Sequence, residues 1–235
     1  MRKRGVVLGA AIVATLGLYG STSVGAATAS GTLILEGLTL AGTQFGTPSG
    51  QPTTVATDPL QNPVVAGDHF LYSTITCASP FPPWNSFGLQ FTPDYPGVTD
   101  PASVRHEFEG TVTQGSGNRG AVAGTIISYL CQNGVRTDQI RLAFRAQFAP
   151  TTATSVPLAG GGPVPTTGGL AFSGGANIIG GTGRFADMRG GGNLIGQFTC
   201  LASTLQRNNV QSCSQLGAFS EVPFQVRGNF FDPTA

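Results

Sequence analysis

Residues 103–113, SVRHEFEGTVT, alternate between an apolar and a polar side. Val104, His106, Phe108 and Val112 fall on one face, with Arg105, Glu107, Glu109, Thr111 and Thr113 on the other. Residues 139–148 repeat the pattern: Ile140, Leu142, Phe144, Ala146 and Phe148 stand opposite Gln139, Arg141, Arg145 and Gln147. Successive side chains of a strand point to opposite sides, so a period of two predicts strands with one wet face each. Further strands are predicted at 31–40, 69–77, 86–92, 121–131, 170–179, 193–200 and 222–230. The stretch 121–131 is apolar on both faces, which predicts cover on both sides. No long segment has a period near 3.6. Many short strands with glycine-rich turns predict an all-β barrel or sandwich.

The connections carry turn formers. QGSGNRG at 114–120 predicts a hairpin between two good strands. Residues 41–67 and 151–168 are rich in Thr, Pro and Gly and nearly free of charge, which predicts long exposed loops. Residues 78–101 hold Trp84 and the run PFPPWNSF, a proline-stiffened excursion expected to cap one end of the fold.

The sequence IIGGTGRFADMRGGGNL, 178–194, asks for a separate reading. Gly181, Gly183 and Ala186 match the spacing of a dinucleotide-binding loop, but such a loop opens a helix whose N-terminus holds the pyrophosphate. Three consecutive glycines, Gly190–Gly192, follow here, and they would cost a helix about 2–3 kcal/mol relative to alanine. No acid lies between Asp187 and Glu221 to take the ribose. The alternative is a wide β-hairpin. Gly180, Gly181 and Gly183 permit positive φ at its corner. Thr182 is placed to cap one helical turn over 184–188. Phe185 plugs the end of the fold, and Gly190 leads the chain back into a strand.

Those residues also carry a resemblance. Gly180, Gly181, Thr182, Gly183, Phe185, Arg189 and Gly190 fall in register with the hairpin of dirigent proteins and the related allene oxide cyclase-like barrels. The FEGTVTQGSGNRGAVAGTIIS stretch before them looks like such a barrel's central hairpin. The resemblance implies an antiparallel, eight-stranded, calycin-like β-barrel around an apolar lumen, often assembled as a trimer. It implies a small apolar ligand and steering of its cyclisation or coupling. The four cysteines and the 41–67 segment are additions to that pattern. A fold does not bring its chemistry with it.

The N-terminus changes the picture of where the protein works. Arg2, Lys3 and Arg4 precede an apolar run from Gly5 to Gly20 and then small residues, with cleavage sites after Ala26 or Ala29. This is the layout of a secretory signal peptide over 1–26, leaving one domain over 30–235. No other apolar run is long enough to span a bilayer. Removal of that segment leaves nine basic and 11 acidic residues, a net charge of −2. Nothing then recommends nucleic acid or an anionic membrane as a partner. Only 10% of the chain is charged and 35 of 235 residues are Gly, a poor composition for helices.

Cys77, Cys131, Cys200 and Cys213 make an even count in an exported chain, which predicts two disulfides with three connectivities open. Cys200–Cys213, closing a short polar loop, and Cys77–Cys131, at the ends of two strand-like runs, are favoured. With two His residues and no C-x-x-C pair, no metal site and no cofactor is expected. The candidate acid–base groups are His106, between Val104 and Phe108, and Glu36, between Ile34 and Leu38. In a lumen each would have a shifted pKa and could move a proton. The bland alternatives are a packed imidazole and an outward carboxylate, since Leu33 and Leu35 hold the other face of that strand. Val104, Phe108, Phe144 and Phe148 would line the ligand cavity. If those phenylalanines fill the lumen instead, the protein reads as a non-catalytic secreted binding or cell-surface protein.

Overall fold

The computed structural model describes residues 28–40, 66–67, 69–73, 77, 88–96, 98, 104–116, 119–158, 162–166, 169–199 and 221–235. The signal-peptide reading, almost all of 41–67, Trp84, Cys200 and Cys213 lie outside the described residues. The strands are β1 (Ala29–Leu40), β2 (His69–Ser73), β3 (Leu89–Thr92), β4 (Val104–Ser116), β5 (Arg119–Gln132) and β6 (Val135–Thr151). They continue as β7 (Ser155–Leu158), β8 (Gly162–Pro165), β9 (Gly169–Thr182), β10 (Arg189–Thr199) and β11 (Glu221–Asp232). The only helical piece among the described residues is a 3-10 turn at Gly183–Phe185.

Nine strands form one antiparallel sheet in the order β2-β4-β5-β6-β9-β10-β11-β1-β3. Period-two patterning sets this up. On β6, Ile140, Leu142, Phe144, Ala146 and Phe148 are buried, while Arg141, Arg145 and Gln147 are exposed. On β4, Val104, His106, Phe108 and Val112 are buried. Tight hairpins fix the register. Asn133 and Gly134, with φ of 52° and 76°, make a two-residue turn between β5 and β6. Positive φ at both centres suits the right-handed twist of the flanking strands.

An eight-stranded closed barrel is not what forms. The sheet has nine strands, and its end strands β2 and β3 are not paired with each other among the described residues. The reason lies at the seam. β3 pairs only with Thr32–Leu35 of β1, and β2 pairs only with Glu107–Thr111 of β4. The rest of β1 approaches β4 and β2 through side chains instead of a ladder. Gly37 of β1, for example, sits directly against the rings of His106 and Phe224. The sheet is thus curled, with its inner rows in contact.

Three local expectations are corrected. Residues 151–168 are not simply an exposed loop. They hold the β7–β8 hairpin, in which Val156, Leu158 and Val164 are buried. β5 is covered twice only near its end: Val122, Ile126 and Leu130 are buried on one face, while on the other Ala123 and Ile127 are only half-buried and Tyr129 is buried. Arg105, expected on the wet face of β4, is 3% exposed. It lies in register with the buried Tyr129 of β5, where a long apolar stem can pack.

Cys77 is disulfide-bonded to Cys131, across 54 residues of sequence. Both β2 and β5 run antiparallel to β4. The bond therefore joins the same end of β2 and β5 across the start of β4.

Candidate functional site

His106 is an ionisable side chain of the inner face, at the start of β4. It is 2% exposed, its Nδ1 is 2.8 Å from Ser128 Oγ in the opposite position of β5, and its ring meets Phe224 edge-on at 5.4 Å. Desolvation dominates its titration and lowers the pKa to about 3, with the charge of Arg105 acting in the same direction and a hydrogen bond to the Glu36 backbone opposing. The imidazole is neutral at physiological pH, ties β4 to β5 and packs against Gly37 of β1. Unfolded, this histidine would take up a proton near pH 6.5. Between that pH and about 3 the unfolded chain binds more protons than the folded one. The stability His106 allows is therefore complete above pH 6.5 and drains away as the pH falls through that window, by at most about 1.4 kcal/mol per pH unit. His106→Gln is expected to flatten the fall of Tm with acidification across that range. Parallel Tm–pH curves for the two proteins would remove His106 from the acid response.

Glu36 does not share that interior. Leu33 and Leu35 point inward with Gly37, which puts Glu36 on the outer face of β1. It is nonetheless only 1% exposed. Gln225, directly across on β11, donates to its carboxylate. Gln197 and Thr199 of β10 are also buried on that outer side, and Gln197 Nε2 is 3.4 Å from Thr166 Oγ1, beyond the β7–β8 hairpin. An outward residue of a strand is buried when another layer lies over it, which alternation alone does not disclose. The two acid–base candidates are thus on opposite sides of the sheet.

The four ligand-lining candidates are all buried, with Phe108 against Phe144 and Val104 and Phe148 toward opposite ends of the sheet. Val104, Phe108, Phe144 and Phe148 are each no more than 3% exposed. Their surroundings are filled by rings. Phe108 lies 4.7 Å from Phe144, 5.4 Å from Phe224, 5.5 Å from Phe172 and 5.7 Å from Phe70, centroid to centroid. Phe198 closes the group, 5.1 Å from Phe70 and 5.0 Å from Phe172. These offset and edge-on contacts are the favourable aromatic arrangements.

The glycine hairpin links β9 to β10 as a wide turn. Gly183 has φ of 59°, and a β-carbon there would collide with the Asp138 carboxylate. Gly181 has ordinary angles but no room: a β-carbon would sit 2.3 Å from the Phe185 carbonyl oxygen and 2.6 Å from that of Gln139. Gly180 and Gly190 take φ of 149° and 135°. Thr182 does not cap the turn with its side chain. Asp138 of β6 does so instead. Its Oδ1 accepts the Arg184 backbone N–H at 3.1 Å, and its Oδ2 pairs with Arg184 Nε at 2.8 Å. Arg189 is exposed, so the arginine that braces the hairpin is Arg184.

Phe185 is fully buried against Tyr95 and Phe91, at 5.3 and 6.0 Å. Tyr95 Oη lies 2.6 Å from both the Arg184 carbonyl oxygen and Asp232 Oδ2, so one proton serves two acceptors. Burial, and then the hydrogen bond to Asp232, hold the phenol above its usual pKa. Asp232 is fully buried and also accepts from Thr234. This Tyr95–Asp232–Arg184–Asp138 group joins four parts of the chain at one end of the sheet. None of its members was singled out from the sequence, since their separations of 46 to 137 residues leave no local pattern.

Among the described residues no three His, Cys, Asp or Glu side chains converge as metal ligands, and no helix is long and apolar enough to cross a membrane. No family model and no curated protein matches the chain. Among solved structures it is similar to a pterocarpan synthase dirigent protein, over 88% of this chain and 85% of that one, at 9% identity and a TM-score of 0.37. At that score the likeness assigns the chain to no family.

Proposed function

We propose that the chain is an exported, single-domain β-sheet protein that binds a partner at its surface without catalysing a reaction. The observation that carries this is the aromatic interior: Phe70, Phe108, Phe144, Phe172, Phe198 and Phe224 occupy the space that a lumen ligand would need. In this reading His106 is a neutral hydrogen-bonded residue of the packing, and Glu36 belongs to a polar layer on the other side. Export is supported by the N-terminal pattern and by a Cys77–Cys131 bond that a reducing cytosol would not favour. The second reading, a lumen that binds a small apolar molecule and steers its cyclisation or coupling, keeps one observation in its favour, the buried His106–Ser128 pair.

Titration with a neutral apolar fluorophore, N-phenylnaphthylamine, separates the two. The surface-binding reading expects no saturable signal from the folded protein. One-to-one binding that His106→Gln weakens without loss of folding would establish the lumen reading in its place. N-terminal sequencing of protein recovered outside the cell should begin after Ala26 or Ala29.

A further inference from the structure

After its third residue the chain contains no lysine; its remaining basic side chains are all arginines. Their placement is uneven. Arg136 is paired with Glu107, Arg184 with Asp138, and Arg105 is buried. Arg141, Arg145, Arg189 and Arg227 are all exposed and share the outward face of β6, β9, β10 and β11. None of the four forms an ion pair with a described residue. Register puts them in one field. Arg145, Gly175, Asn193 and Arg227 make a row straight across the four strands. The adjacent outward row is Ala143, Asn177, Gly191 and Asn229. Beyond it Arg189 stands beside Phe231, which is 49% exposed, and Arg141 beside Gly180. From strand spacing and rise, the four guanidinium stems root about 10–14 Å apart around a floor of amides and glycine. A groove of about 480 Å³ opens on the same face at the Arg145 corner of this field, with Thr113, Ala121, Ala123, Gln147 and Ser173 in its lining and none of the other three arginines.

We propose that this face binds an acidic polysaccharide, with the four arginines taking carboxylates spaced along its sugars. The guanidinium fork suits a planar carboxylate, which it can meet with two parallel hydrogen bonds. Asn177, Asn193 and Asn229 lie between the arginines, with Gln147 next to Arg145, and they offer both donors and acceptors to hydroxyls. Gly175 and Gly191 leave the floor bare for a sugar ring, and Phe231 offers an apolar surface to its C–H face. The groove falls within the size range of small-ligand sites. The chain as a whole carries −2 once the N-terminal segment is removed, so the unpaired positive charge is local to this face. The proposal rests on the surface-binding reading above only in placing the protein where such polymers occur.

The test is binding of the full chain to polygalacturonate at low ionic strength, by calorimetry, with neutral dextran and phosphatidylglycerol vesicles as comparisons. The expected result is binding to polygalacturonate alone, weakened by added salt and by about tenfold in each of Arg145→Gln and Arg227→Gln. Both substitutions are at exposed positions and should leave Tm unchanged, which separates lost binding from lost folding. No binding, equal binding of dextran, binding of the vesicles instead, or full affinity in the Arg145→Gln/Arg227→Gln double variant would each overturn the proposal. Any of these outcomes leaves the fluorophore result on the interior untouched.

Discussion

Phe108→Ala is expected to lower the free energy of unfolding by about 3–5 kcal/mol. Phe108 is fully buried, and its ring neighbours come from β2, β6, β9, β10 and β11. Removing it deletes a large apolar surface and leaves a hole. Collapse into that hole is resisted, because each surrounding ring is fixed by its own strand and Phe70, Phe172 and Phe198 also by one another. The measurement is a urea transition: a lower midpoint with an unchanged slope reports stability and not a new denatured state. The cavity left in the variant should also take up a small apolar molecule such as benzene, as apolar engineered cavities do. A loss below about 1 kcal/mol would mean that the interior repacks freely and is not the rigid filled centre described above.

Removal of the Cys77–Cys131 bond carries the next largest effect. A cross-link spanning 54 residues restricts the unfolded chain, and loop-closure entropy puts its contribution at about 4 kcal/mol, with native strain able only to reduce it. The paired substitution Cys77→Ala/Cys131→Ala is therefore expected to cost about 2–4 kcal/mol in the same urea assay. The change should act locally as well. The bond joins the ends of β2 and β5 across the start of β4, where Arg105 and His106 are buried. Amide exchange at Val104–His106 should accelerate more than at Phe144 or Leu194, which sit in the far part of the sheet. Uniform acceleration would show that the bond stabilises only through the unfolded state.

Position, then, and not only residue type, separates what was legible in this chain from what was not. The strands at 104–116 and 135–151 could be read over 103–113 and 139–148, because which side of a strand faces the core is written into consecutive residues. The glycine hairpin was legible for a related reason: Gly183 needs a backbone angle that other residues resist, and the need is local. The same local reading put Thr182 at the cap. The actual cap, Asp138, lies 46 residues away and becomes a neighbour only when β6 pairs with β9.

Glu36 and Arg105 show the limit most plainly. Each sits on the outward side of its strand, as its place in the alternation requires, and each is buried. Alternation assigns a side; it does not say whether a second layer covers that side. The sequence by itself determined an all-β chain, the inward row of His106 and Phe108, a glycine-built corner and an available cysteine pair. Tertiary structure alone decided that the sheet curls to nine strands with no closing ladder among the described residues, and that six phenylalanines meet in its centre. It alone brought Arg145 and Arg227, 82 residues apart in the numbering, into one row. The physical reason is the range of the forces involved: side-chain direction follows from neighbouring φ and ψ, while contact between rows follows from register, twist and curl summed over the whole sheet.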